Sequence, residues 1–185
     1  MFLQTDRLII RKIREEDFSD FCEFAADPEA CRMMGRDLIT DAASARPTFD
    51  WLKDKEERGY ALVYRETGKV IGNLTVYNSI PSYLSDLEIL RGKIGRSLSF
   101  SISREYRRKG LMFEVVSTCI DHIFTVEQAD CILYGHFAFN LPSRALQEKL
   151  GFTRIYTEDI EIDGETVTCV ENILWKDQWK PLQKP

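Results

Sequence analysis

Leu98-Ser99-Phe100-Ser101-Ile102, followed closely by Arg107-Arg108-Lys109-Gly110-Leu111-Met112, is the stretch on which the fold turns. The first run alternates apolar and polar residues, as a half-buried strand does. After Gly110 the apolar residues keep helical spacing to Phe124, with Met112, Val115, Cys119 and Ile123 as the inward stripe and Val116 and Ile120 beside it. A strand, a basic turn with a glycine, then a helix N-terminus aims several backbone N–H groups at one point. The helix dipole adds about 0.3–1 kcal/mol of attraction for an anion there. Arginines and a lysine are unfavourable at a helix start unless an anion is present. The stretch therefore reads as a phosphate cradle.

Outward from it, the chain reads as alternating strand and helix signals. A strand at 8–13 precedes a helix carrying Phe18, Phe21, Cys22 and Ala25 on one face. Asp27-Pro28 ends that helix, because the residue before proline disfavours helical backbone. A short helical piece follows at 29–34. Thr40 or Asp41 caps another helix running toward Glu57, with Gly59 as its stop and Pro47 kinking or restarting it. Residues 60–65 and 70–77 form a hairpin around Glu66-Thr67-Gly68-Lys69. Residues 78–95 are a long irregular segment, of the kind that is often functional. The central strand at 96–102 and the helix from about Lys109 come next, then a strand at 132–137 and a helix opened by Pro142. Residues 153–162 and 165–176 close the chain as a hairpin across Asp163-Gly164. No linker, repeat or low-complexity stretch interrupts the 185 residues, which read as a single mixed α/β domain.

Composition narrows the function classes. Apolar residues make up 44% and the net charge is −5, which disfavours general binding to nucleic acid or to an anionic membrane. No apolar run reaches membrane-spanning length and Met1-Phe2-Leu3-Gln4 lacks a signal-peptide core. Five scattered cysteines without a C-x-x-C spacing suit free thiols in a reducing cytoplasm. They suggest neither zinc nor a cysteine nucleophile.

A second motif, Asn140-Leu141-Pro142-Ser143-Arg144-Ala145-Leu146-Gln147-Glu148-Lys149-Leu150-Gly151-Phe152, lies downstream. No Gly-x-x-x-x-Gly-Lys-Ser/Thr or Gly-x-Gly-x-x-Gly is present. The two motifs together resemble the GNAT family of acetyl-CoA-dependent N-acetyltransferases. The first is similar to its pyrophosphate turn and the second to its Asn-x-x-Ser-x-x-Leu-x-x-Lys-x-Gly-Phe segment. The opening Thr5-Asp6-Arg7-Leu8-Ile9-Ile10-Arg11, with Glu15-Glu16-Asp17 after it, resembles the branch that acetylates ribosomal-protein N-termini at serine or alanine. The resemblance implies a mostly antiparallel sheet of about six or seven strands flanked by about four helices, splayed between the strands at 96–102 and 132–137.

The resemblance also implies roles. Main-chain groups of Phe100, Ser101 and Ile102 would pair with pantetheine. The amides and side chains of Arg107, Arg108, Lys109, Gly110, Leu111 and Met112 would take the pyrophosphate, although relatives usually carry a small residue where Met112 stands. Asn140 would bond pantetheine near the thioester, a role compatible with capping the following helix. Ser143 matches the serine thought to protonate the departing thiolate, Gln147 occupying the place of the usual tyrosine. Relatives often have a base where Ser97 stands, so Glu88, or else Asp86, in the long segment is the candidate carboxylate. His122 and His136 read as structural. The expected activity is acetyl transfer from acetyl-CoA to a primary amine by direct attack, with no metal. A peptide N-terminus is favoured as acceptor; a polyamine, amino acid or aminoglycoside is the alternative. A non-catalytic acyl-CoA-binding domain is the rival of a different class. The protein is expected to be a cytoplasmic monomer or homodimer.

Overall fold

Leu8 and Ile10 are fully buried, while Ile9 and Arg11 are half-buried, as a strand with one face on a core requires. The computed structural model describes residues 1–54, 59–162 and 164–181. Among them are eight strands and five α-helices, slightly more than the sequence suggests. One extra strand, β1 (Leu3–Gln4), is too short to show a period. It pairs antiparallel with β2 (Leu8–Lys12) across a turn closed by the Thr5 N–H and the Leu8 carbonyl at 2.9 Å.

The chain divides into two compact units, residues 1–76 with 99–115 and residues 77–98 with 116 onward. In the first, the strand order is β1-β2-β3-β4-β5, where β3 is Gly59–Tyr64, β4 is Val70–Tyr77 and β5 is Gly95–Ile102. Helices α1 (Phe18–Ala25), α2 (Pro28–Met34) and α3 (Ala42–Lys53) belong to this unit. The buried stripe of α1 is Phe21, Phe24 and Ala25, with Phe18 and Cys22 half-buried at its margin. Phe49 of α3 lies edge-on to Phe18 at 4.9 Å and 5.4 Å from Phe21, over Ile13, Ala61 and Val70. Asp27-Pro28 ends one helix and starts the next. Asp27 Oδ1 accepts from the Glu29 N–H at 3.0 Å, and Pro28 sits in the first turn. Asp41 caps α3 by accepting from the Ser44 N–H at 2.8 Å, and Ser44 Oγ accepts in return from the Asp41 N–H. Pro47 lies inside α3 without dividing it. The remainder of the expected helix, at 55–57, lies outside the described residues.

In the second unit the order is β5-β6-β8-β7, with β6 at Cys131–Phe137, β7 at Thr153–Ile162 and β8 at Glu165–Trp175. β5 and β6 are parallel, and the other two pairings are antiparallel. The parallel register covers only Gly95–Ser97 against Cys131–Leu133, whereas β6 stays paired with β8 as far as Phe137 opposite Cys169. From Tyr134 onward β6 is thus in register with β8 alone. Ile162 faces Glu165 at the closing turn, where Gly164 has φ 80°; Asp163 lies outside the described residues. The irregular segment is anchored by two single turns, Ser82–Leu84 and Glu88–Leu90, whose Leu84 and Leu90 are buried with Cys131, Leu133 and Ile173.

Helix α4 (Leu111–Thr125) begins two residues later than expected. Leu111 takes the buried position of its first turn, and Met112 is only half-buried. Helix α5 (Leu141–Leu150) ends at Gly151, left-handed at φ 87° as the motif suggests. All five cysteines are free, and no described helix is long and apolar enough to cross a membrane.

The backbone of the first unit is tightly packed at Gly72 of β4. A Cβ there would collide with the Ser101 carbonyl oxygen and come within 3.0 Å of the Ile102 Cα, and only main chain stands in the way. Gly72→Ala is expected to lower the unfolding free energy by about 1–3 kcal/mol, seen as a lower urea midpoint at unchanged slope.

Candidate active site

The basic turn lies in the first unit, between β5 and α4. Arg108 and Gly110 both adopt left-handed backbone, at φ 60° and 76°. This explains the late start of α4, since no helix can run through them. Successive N–H groups in such a turn form a concavity suited to anions, and the N-terminus of the 15-residue α4 stands behind it.

The turn is held from both sides. Arg7 Nη1 donates to the Lys109 carbonyl at 2.9 Å, while Arg7 Nε and the Arg7 N–H donate to the Glu114 carboxylate at 2.7 and 2.9 Å. Burial works against the charge on Glu114, but hydrogen bonds from Thr5 and Arg7 outweigh it and hold the carboxyl below the ordinary range. On the other side, the Arg107 guanidinium meets Asp27 at 2.5 Å and Glu29 at 2.9 Å. Arg107 is thus a brace as well as a charge. Arg108, Lys109 and Gly110 are exposed, with Lys109 Nζ 5.2 Å above the Tyr106 ring. On β5, Ser101 is buried and Phe100 and Ile102 are half-buried. Cations, left-handed backbone and helix start together fit a phosphate.

In the second unit, α5 carries a closed polar cluster. Asn140 Oδ1 accepts from the Ser143 N–H at 3.1 Å, capping the helix. Ser143, 8% exposed, donates its hydroxyl to Tyr134 Oη at 2.7 Å and accepts from Gln147 Nε2 at 3.1 Å. Gln147 is fully buried. It also meets His136 Nδ1 at 3.1 Å and accepts from Asn172 Nδ2 at 2.5 Å. Because Gln147 presents its N–H to Nδ1, the neutral imidazole carries its proton on Nε2. Burial lowers the His136 pKa, and the Gln147 contact opposes the shift. Burial pushes the Tyr134 phenol well up, against hydrogen bonds from Ser143 and Gln147. A tyrosine hydroxyl thus reaches this cluster from β6 rather than from position 147 of the helix. Strand alternation through Ile132, Tyr134 and His136 is the signal that could have shown it.

The opposite face of β6 carries a different group. Glu171 of β8 stands opposite Gly135, and a Cβ on Gly135 would collide with the Glu171 carboxylate. Tyr83, beside the anchored Leu84, donates to Glu171 Oε1 at 2.5 Å. Glu88 and Asp86, in the same irregular segment, are exposed. Ser97 donates its hydroxyl to the Ser79 carbonyl at 3.0 Å. His122 lies 3.8 Å from Glu127, outside the polar cluster on α5, whereas His136 belongs to that cluster. Among the described residues, no group of three or more His, Cys, Asp or Glu could hold a metal ion.

Comparison with known proteins gives this geometry its family. A family model described as an acetyltransferase (GNAT) domain matches residues 7–153. An uncharacterized N-acetyltransferase, p20, of Bacillus licheniformis is 30% identical over 156 residues, 82% of each chain. The ribosomal-protein-S5-alanine acetyltransferase of Vibrio fischeri superposes with a TM-score of 0.74 at 17% identity, covering 98% of this chain and 100% of that one. The spermidine N-acetyltransferase of Vibrio cholerae, solved in complex with CoA and spermine, superposes at 0.73 and 14% identity, covering 93% and 97%. At such identities the two structures establish the fold. The chain belongs to the GNAT acetyltransferase family. It is an acyltransferase, and the reaction of its family is acetyl transfer from acetyl-CoA to an amine.

Asn140→Ala removes the α5 cap and is expected to cost about 0.5–2 kcal/mol of stability. Chemical denaturation measures this; an unchanged midpoint would show that the cap carries no weight.

Proposed function

We propose that the protein transfers an acetyl group from acetyl-CoA to a primary amine by direct attack within a ternary complex, residues 1–185 acting as one catalytic domain. The braced basic turn at the start of α4 carries this reading. Arg108, Lys109 and the amides from Gly110 to Met112 take the pyrophosphate, with Arg7 and Arg107 keeping the turn in shape. Main-chain groups of Phe100, Ser101 and Ile102 pair with pantetheine, and an N–H of this strand polarises the thioester oxygen. Asn140, which caps α5, also bonds pantetheine. Ser143 turns its hydroxyl from Tyr134 to the departing sulfur, Tyr134 donating to Ser143 Oγ in exchange; a hydroxyl is a weak acid, and its contribution here is positional.

A peptide N-terminus is the favoured acceptor. An α-amine with a pKa near 7.8 is roughly a tenth neutral at pH 7, whereas a lysine-like amine near 10.4 is neutral about 0.04% of the time. The first therefore asks less of the enzyme. A polyamine is the second reading, favoured by the carboxylates of Glu158 and Glu171 on the Cys169 face of the β7–β8 pair, which suit a cationic substrate.

Calorimetry with acetyl-CoA tests the donor half. Binding is expected, weakened about tenfold or more by Arg108→Ala with Lys109→Ala, the loss of roughly one charge-assisted contact; absence of binding by the unmodified protein would overturn the reading. Thiol release on a panel of peptides beginning in Ser or Ala, alongside spermidine, tests the acceptor half. Preference for the peptides is expected, preference for spermidine supports the second reading, and binding without turnover on any amine would leave a non-catalytic acyl-CoA-binding domain.

A further inference from the structure

We infer that Glu171 takes the proton from the acceptor amine and that Tyr83 positions its carboxylate, an assignment that rests on the acetyl-transfer reading above. Among the described residues, two acidic side chains are buried, Asp17 at 4% exposure and Glu171 at 9%. Asp17 is fully compensated: Arg11 grips it with two hydrogen bonds of 2.7 Å, and the Arg14 N–H adds a third at 2.8 Å. Glu171 has no such cation. Its hydrogen bond comes from the neutral hydroxyl of Tyr83, and no described ion pair reaches it. A buried carboxylate without a cation is costly, so its retention asks for a use. A cationic substrate supplies the missing charge.

Its place suits that use. Gly135, opposite Glu171, lies two residues beyond Leu133, the last β6 residue in register with β5. The absent side chain at Gly135 leaves room for the carboxylate over the β6 backbone. On the residue before Gly135, facing the other way, Tyr134 meets Ser143. At this point β6 thus has a carboxylate from β8 over one face, in the room left by Gly135, and its own Tyr134 with Ser143 on the other, a consequence of strand alternation. The groups facing Glu171 are Tyr83 from the irregular segment, Tyr156 opposite it on β7, Glu158 next along that face, and Cys169 on β8. Gly135 contributes none from β6. Burial raises the Glu171 pKa, with the Tyr83 hydrogen bond opposing, which brings the carboxylate toward the range useful to a base near neutrality.

The step balances. The alkylammonium gives one proton to Glu171, and the freed lone pair on nitrogen forms the C–N bond as the C–S bond breaks. The sulfur takes the second proton from that nitrogen, and Glu171 releases its proton to water, so one proton is liberated per acetyl group transferred.

The test measures kcat/KM from thiol release against pH, with a Ser-starting peptide and with spermidine, alongside acetyl-CoA calorimetry. Glu171→Gln is expected to bind acetyl-CoA as before and to lose about 100-fold in kcat/KM at pH 7, the scale of a general base. The deficit should shrink as pH rises and the amine deprotonates by itself. Tyr83→Phe removes a hydrogen bond that favours the charged carboxylate, so the acid limb of the profile should move to higher pH. If Glu171→Gln fails to fold, that displacement decides the matter. Unchanged kcat/KM in Glu171→Gln, or an unmoved limb in Tyr83→Phe, overturns the assignment while leaving acetyl transfer intact. An unmodified protein that releases no thiol with any amine overturns both.

Discussion

The parallel register between β5 and β6 is three residue pairs long, and the chemistry of the second unit follows from its brevity. Up to Leu133, β6 is an interior strand with β5 on one side and β8 on the other. Beyond it, β8 alone continues the ladder. Backbone groups released in this way must still find partners, and an extended chain such as pantetheine can supply them in the way an added strand would. The side chains of the next residues are then arranged in alternation. Tyr134 and His136 face α5 and its polar cluster, and Gly135 lies under Glu171.

Charge is treated differently in the two units. In the first, the buried Asp17 is matched by Arg11, and around the basic turn Arg107 is matched by Asp27 and Glu29 and Arg7 by Glu114. The Arg107 and Arg7 pairs brace the turn in a left-handed conformation that residue 108, an arginine, would not readily adopt alone. Strain of this kind persists where surrounding contacts over-determine it. In the second unit Glu171 is left with a neutral partner, and the asymmetry separates a scaffold carboxylate from a working one.

Local features were legible in the sequence, and features made by distant pairing were not. The α4 stripe, the Asn140 cap, Gly151 and the closing hairpin depend on residues within a few positions of one another, so spacing reveals them. The role of Arg107 as a brace depends on Asp27 and Glu29, some 80 residues earlier in the chain. Met112 was expected inside and stands at the margin, because the two left-handed residues delay the helix and hand the inner place to Leu111. Glu171 and Tyr83 meet only through the β6–β8 register and the anchoring of Leu84, neither of which a single sequence displays. Glu88, the carboxylate the sequence offered in their place, stands exposed.

The central claim is that the braced turn after β5 takes the pyrophosphate of coenzyme A. A crystal structure of the protein grown with CoA tests it most directly. The account predicts pyrophosphate oxygens at hydrogen-bond distance from the amides between Gly110 and Met112, with the Arg107 guanidinium still on Asp27. CoA seated elsewhere, with that turn free of phosphate, would contradict it.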